Sequence, residues 1–180
     1  MSFAIPTSVM SMMTTTIRYE IKPLKFRDKL AELILIRPYD HENDRDRLIG
    51  MYIRFDPEDR CLGLPPLTKE SIENWIEYLA ENGCNFVAEH RGKIVGHTAV
   101  IPLNNQGGVE LDIFVWRPYQ GRGIGQELLR YTIEFCKRKG FRSITVVTEC
   151  SNLRAKRLFR KFGFVTINES LDDCYMYLKL

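Results

Sequence analysis

The spacing of apolar and polar positions changes several times along the chain, and each change marks an element. Leu33–Ile36, "LILI", is a continuous apolar run that stops at Arg37-Pro38, which predicts a short buried strand. From Asp40 to Phe55 the pattern turns helical, with Asp40 and Asn43 as candidate caps. "FDPEDRCLGLPPLT" is rich in Pro and Gly and predicts a long loop. Beyond it Ile72, Trp75, Ile76 and Leu79 make a one-sided stripe, with Thr68 placed to cap, Ser71 three residues on and Asn82-Gly83 as the stop. "CNFVAEH", "RGK" and "IVGHTAVIPL" predict a hairpin, and "VELDIFV" alternates as a half-buried strand does. A helix with Ile124, Leu128, Tyr131, Thr132 and Phe135 on one side runs to Lys139-Gly140. "FRSITVVTE" is a β-branched strand. "SNLRAKRLFRKFG" is a helix capped by Ser151 or Asn152 and closed by Gly163, with Ala155, Leu158, Phe159 and Phe162 inward. "FVTINES" and "CYMYLKL" complete the order as strands. The expected fold class is α/β, of the α+β kind: a mixed, mostly antiparallel sheet flanked by helices. One domain spans 31–180, preceded by a loosely ordered arm over 1–30.

Composition narrows the classes. The chain is 44% hydrophobic and 27% charged, an ordinary balance for a soluble globular protein. No apolar run approaches the roughly 20 residues that cross a bilayer. The opening "MSFAIPTSVMSMMTTT" lacks a basic residue before its apolar part, which argues against a secretory signal. Five cysteines, with no Cys-x-x-Cys pair, fit free thiols in a reducing, cytoplasmic setting. His41, His90 and His97 have no metal-ligand spacing, so no metal is expected. Charge is unevenly spread: Arg117 to Lys161 holds twelve Lys and Arg against three Asp and Glu. A local basic block suggests an anionic partner, although most such residues are solvated helix faces.

The candidate chemistry centres on Tyr119 to Leu129, "YQGRGIGQELL", with Gly121, Gly123 and Gly125 just before a helix. Glycine permits sharp turns and close approach, and a helix start offers unpaired N–H groups and partial positive charge. An anion on the backbone, most often phosphate, is the functional reading; a glycine-rich structural turn is the plain one. There is no Gly-Lys-Ser/Thr of a P-loop, and the glycines lack the Gly-x-x-Gly tail of a dinucleotide fingerprint.

Gln120-Gly121-Arg122-Gly123-Ile124-Gly125 resembles the Gln/Arg-x-x-Gly-x-Gly/Ala signature of the GNAT superfamily of acyl-CoA-dependent N-acetyltransferases. Asn152-x-x-Ala155-x-x-Leu158-Phe159-x-x-Phe162-Gly163-Phe164 is similar to a second segment of that family, Asn-x-x-Ala-x-x-Leu-Tyr-x-x-x-Gly-Phe. The two lie in the family's order, a helix and a strand apart, and the element order matches from about Leu33 to Leu180. The resemblance implies acetyl-CoA as co-substrate, with pyrophosphate on the amides of Arg122, Gly123, Gly125 and Gln126. Gln120, Gly121 and Ile124 complete the cradle. Arg117 and Arg122, with Arg157 or Lys156, are the implied partners of the ribose phosphate. The pantetheine arm would lie between strands 109–115 and 143–147, against Phe114 and Val115, with Asn152 helping to hold it. A backbone N–H near Val115 is the implied oxyanion donor.

An amine must be neutral to attack an acyl carbon. For a lysine at pH 7, deprotonation costs about 4.6 kcal/mol, so a general base is needed. Glu110, ten residues before Gln120, is spaced like the catalytic Glu of the family's bacterial protein lysine acetyltransferases, and it is the first candidate. Asp112 shares its strand face and is the second. Both can equally be polar residues on a solvated face. Phe159 stands where the family has a proton-donating tyrosine, and Tyr175 and Tyr177 are distant substitutes. The expected acceptor is a primary amine, of a protein lysine or else a polyamine or amino acid, with Asp56, Glu58 and Asp59 of the long loop as its attractors or as solvated charges. A non-catalytic acyl-CoA sensor is the alternative from another class. A nucleic-acid binder using the basic block ranks last; it predicts strong binding that falls steeply with salt.

Overall fold

The computed structural model describes residues 21–103 and 107–180. Eight strands form one sheet in the order β1-β2-β3-β4-β5-β6-β8-β7. The strands are β1 Leu24–Arg27, β2 Leu33–Pro38, β3 Cys84–His90, β4 Lys93–Pro102, β5 Gly108–Val115, β6 Ser143–Glu149, β7 Val165–Glu169 and β8 Asp173–Lys179. Neighbours run antiparallel except β5 and β6, which are parallel. The helices are α1 His41–Tyr52, α2 Lys69–Asn82, α3 Ile124–Arg138 and α4 Leu153–Lys161. Of the expected arm over 1–30, residues 1–20 lie outside the described residues. Leu24–Arg27 pairs with Ile36–Leu33 as an edge strand and Ile21 is buried, so the sheet begins before residue 31.

Alternation along the strands divides the apolar side chains between two layers. Phe86, Val109, Leu111, Ile144, Val146 and Met176 pack with α3 and with Phe159 of α4. Val87 and Phe114 face the other way, toward Leu48, Met51 and Tyr52 of α1 and Ile72 and Ile76 of α2. The caps are local. Thr68 Oγ1 accepts from Ser71 N at 3.1 Å, and Asn152 Oδ1 from Ala155 N at 3.1 Å. Asp40 occupies the N-cap of α1 without a side-chain cap bond. There Asp44 is the anchor. Its buried carboxylate takes Arg37 at 2.5 and 2.8 Å, the Asp40 amide at 2.9 Å, and Arg47. Arg37 and Arg47 also reach Glu89 of β3, so this charge cluster ties α1 to the sheet. Burial alone would raise the Asp44 pKa, but these donors hold it down at about 2.

Candidate active site

The parallel β5–β6 ladder is short. It pairs Gly108, Val109 and Glu110 with Ser143, Ile144 and Thr145, and then stops. Both strands continue, β5 paired to β4 through Val115 and β6 paired to β8 through Glu149. Beyond Glu110 the two strands therefore part, each still bonded on its outer side. Trp116 N donates to Val95 O, so by alternation Ile113 and Val115 turn their backbone groups away from β4 and into the opening. Cys150 N donates to Asp172 O, which by the same rule turns Val147 and Glu149 toward it from the other wall. The long loop closes the wide end: Cys61 Sγ accepts from the Glu149 amide at 3.3 Å, and Leu62 N donates to Glu149 Oε1 at 3.0 Å.

The glycine loop borders this opening. Gly121 and Gly123 hold φ of +75° and +93°, which L side chains rarely adopt, and a Cβ on either would meet nothing within 4 Å. Gly125 has an ordinary φ. A Cβ there would touch Val115 and Leu158 only at 3.6 and 3.7 Å, so internal packing does not demand its glycine. Gln126 and Glu127 both donate to Gly123 O, which removes Gln126 N from the expected phosphate donors. The amides of Gly121, Arg122, Gly123, Ile124 and Gly125 have no acceptor among the described residues. Open space, five unspent donors and a helix start are what a pyrophosphate needs, so the loop fits acetyl-CoA.

Several side chains expected to meet the ribose phosphate are committed elsewhere. Arg122 is paired with Asp28 at 2.5 Å and stacks over Tyr119. Arg117 grips the long loop through Asp59 at 3.0 Å, Glu58 at 3.2 Å and Asp56 at 3.8 Å, so these acids already face a cation. Lys156 is buried and bonded to Glu169 at 2.6 Å. Arg157 is exposed and has no ion pair or hydrogen bond among the described residues. Gln120 braces the loop, with Nε2 donating to Val115 O at 2.9 Å and Oε1 accepting from Arg154. Asn152 spends Oδ1 on its cap and keeps Nδ2 to donate. Phe159 is buried with its ring 5.4 Å from that of Phe164, so this position contributes packing and no proton.

Glu110, Asp112 and Phe114 lie on the α1–α2 face of β5. Phe114 sits edge-on to Tyr52 and Trp75 at 5.7 Å each and to Phe55 at 6.3 Å. Asp112 stands beside this apolar wall, two residues before Phe114 and within electrostatic reach of Tyr52. Burial, helped by the charge of Glu110, pushes the Asp112 pKa up to about 6. Behind the wall is a buried polar chain that periodicity did not reveal. Asn85 Nδ2 donates to Leu79 O at 2.7 Å, which turns Oδ1 toward His97 Nε2 at 3.1 Å. His97 Nε2 is thus the protonated nitrogen, and Nδ1 accepts from Tyr52 Oη at 2.6 Å. Burial drives the His97 pKa down to about 3, so this imidazole stays neutral, as a satisfied core histidine.

No group of three or more His, Cys, Asp or Glu is gathered as a metal site among the described residues, and no described helix is long and apolar enough to cross a membrane. Several known proteins are similar to this chain. Rat (Rattus norvegicus) N-acetyltransferase 8 is 31% identical over 107 residues, covering 56% of this chain and 48% of that protein. The N-alpha-acetyltransferase MAK3 of Arabidopsis thaliana is 34% identical over 95 residues, covering 51% and 49%. The chain spans about half the length of these curated relatives. The structure of yncA from Salmonella typhimurium with its cofactor acetyl-CoA superposes with a TM-score of 0.67 at 21% identity, over 82% of this chain and 94% of that one. The model of the acetyltransferase (GNAT) family matches residues 48–164, well over half of the sequence, and with the parted strands and glycine loop in place the chain belongs to that family.

Proposed function

We propose that the protein transfers the acetyl group of acetyl-CoA to a primary amine. The observation that carries this reading is the run of five acceptorless amides over 121–125, set beside a strand opening that has two carboxylates on one face. When bound, acetyl-CoA supplies an activated thioester. The loop amides hold its pyrophosphate, and Arg157, exposed and, of the four expected cations, the one without a partner among the described residues, meets its ribose phosphate. The backbone of Ile113, Val115 and Val147 lines the opening for the pantetheine arm, and Asn152, whose Nδ2 is left to donate, helps to hold it. Val115 N–H points into it and serves as the oxyanion donor.

Asp112 takes the proton from the amine. A carboxylate near 6 is ionised at pH 7 and more basic than an exposed one, as a general base should be. Glu110 acts on Asp112 through its charge and faces the arriving ammonium.

The acceptor we infer is an α-amino group. An α-amine has a pKa near 8 against about 10.4 for lysine, so proton transfer to a base near 6 is uphill by about 2.5 kcal/mol rather than about 6. The relative named an N-alpha-acetyltransferase supports the same class. A protein lysine is the second reading, favoured by the position of Glu110 ten residues before Gln120. The test is CoA release with three acceptors: a lysine-free peptide with an open N-terminus, an N-blocked peptide with one internal lysine, and spermidine. The open N-terminus should react fastest, and Asp112→Asn should lower kcat/KM by about 100-fold or more. Faster reaction of the blocked peptide would move the assignment to lysine. Binding of acetyl-CoA without CoA release from any amine would overturn the catalytic reading in favour of a sensor.

A further inference from the structure

We propose that Asp28, in the turn between β1 and β2, is a positioning residue for acetyl-CoA binding, fixing the shape of the glycine loop through Arg122. The proposal rests on the reading of that loop as a phosphate cradle.

The loop has a mechanical difficulty. Gly121 and Gly123 both sit at positive φ, and neither has a side chain through which the fold can restrain it. Fixing such a segment costs more conformational entropy than fixing any other, and a loop that is not fixed in advance takes that cost out of ligand affinity. Arg122, between the two, carries the nearest side chain that can be held, and the fold holds it at two points. Its Nε donates to Asp28 Oδ2 at 2.6 Å, and its carbonyl accepts from Lys29 N at 3.1 Å.

Asp28 is itself immobilised. Its Oδ1 accepts from Leu30 N at 2.9 Å and Glu32 N at 3.0 Å, closing its own turn, and its side chain is fully buried. Burial opposes the charge, but Arg122 and these two amides outweigh it and hold the carboxyl below its ordinary range. A second set of contacts closes the ring. The Arg122 guanidinium lies 4.5 Å from the Tyr119 ring centroid, Tyr119 Oη meets His90 Nδ1 at 3.0 Å, and His90 Nε2 meets Glu32 Oε2 at 3.2 Å, back on the same hairpin. A direct role for Arg122 on phosphate is disfavoured, since a guanidinium neutralised by a buried carboxylate has little charge to offer. In this arrangement Arg122 acts as a splint and its neighbours' amides do the binding.

Calorimetry and steady-state kinetics of the full chain, Asp28→Asn, Arg122→Met and the double variant test this. Asp28→Asn should raise the acetyl-CoA Kd and KM about ten-fold, the weight of one charge-assisted hydrogen bond. Its kcat at saturation and its acceptor KM should stay at parent values, a split that general destabilisation does not produce. Arg122→Met should raise KM by a similar factor without flattening the salt dependence of binding, and the double variant should be no worse than the poorer single one. Parent-like affinity in Asp28→Asn overturns the proposal while leaving the cradle intact. So does a flattened salt dependence in Arg122→Met, which would mark a direct phosphate contact and which still decides the matter should Asp28→Asn not fold. A parent that does not bind acetyl-CoA overturns the cradle and the splint together.

Discussion

Asp112 should make the protein less stable, and by an amount that depends on pH. An unfolded aspartate titrates near 3.8, whereas burial and Glu110 put Asp112 near 6 in the folded state. Below pH 3.8 the group is neutral in both states and costs nothing. Between 3.8 and 6 the folded state holds a proton that the unfolded state has released, so stability falls as pH rises. Above 6 the cost is complete. A difference of about two pKa units corresponds to about 3 kcal/mol. Asp112→Asn keeps the shape and removes the charge, so it should stabilise by up to about 3 kcal/mol at pH 8, or about 6–12 °C in Tm for a chain of this size. Thermal unfolding of parent and variant at pH 4 and pH 8 is the assay. The gap should be wide at pH 8 and close at pH 4, while the variant loses acetyl transfer, as expected where a site holds a strained charge for function. A variant no more stable than the parent at pH 8, or an advantage undiminished at pH 4, would refute the account of Asp112.

Three further outcomes follow from the same contacts. Glu110→Gln removes the charge that helps raise Asp112, so the acid limb of kcat/KM against pH should move to lower pH; an unmoved limb would separate the two groups. Tyr52→Phe strips the donor from His97 Nδ1 and leaves a buried acceptor unsatisfied, at a cost of about 1–3 kcal/mol by denaturant unfolding; a neutral result would mean the bond carries no net weight. Asp44 works opposite to Asp112. Its folded pKa near 2 lies below the unfolded 3.8, so its contribution is complete above 3.8 and is lost as pH falls toward 2. Asp44→Asn should therefore destabilise at pH 7 and converge with the parent near pH 2, read by unfolding at both.

What could be read from the sequence was local. The Thr68 and Asn152 caps, the hairpin of β3 and β4 and the stripe of α2 each depend on residues within a few positions of one another, where spacing is information. The shared face of Glu110 and Asp112 follows from a period of two. Partners brought together by the fold were not legible. Nothing near Arg122 in the chain points to Asp28, 94 residues away, and nothing near Arg117 points to Asp59, 58 residues away. Hence four basic side chains were candidates for the same phosphate, while of these Arg157 alone has no ion pair or hydrogen bond among the described residues. Likewise His97 becomes a neutral core residue only because Tyr52 and Asn85 arrive from other elements. Leu24–Arg27, "LKFR", is too short and mixed to announce itself as a strand and forms one because β2 offers an edge.

The claim on which the rest depends is that phosphate rests on the amides of 121–125. Amide hydrogen exchange, resolved by residue and measured with and without acetyl-CoA, reads those groups directly. These five amides should exchange freely in the unliganded protein and become protected on binding, with Gln126 and Glu127 changing little because they already donate to Gly123 O. Binding that protects other segments and leaves 121–125 exchanging as before would contradict it.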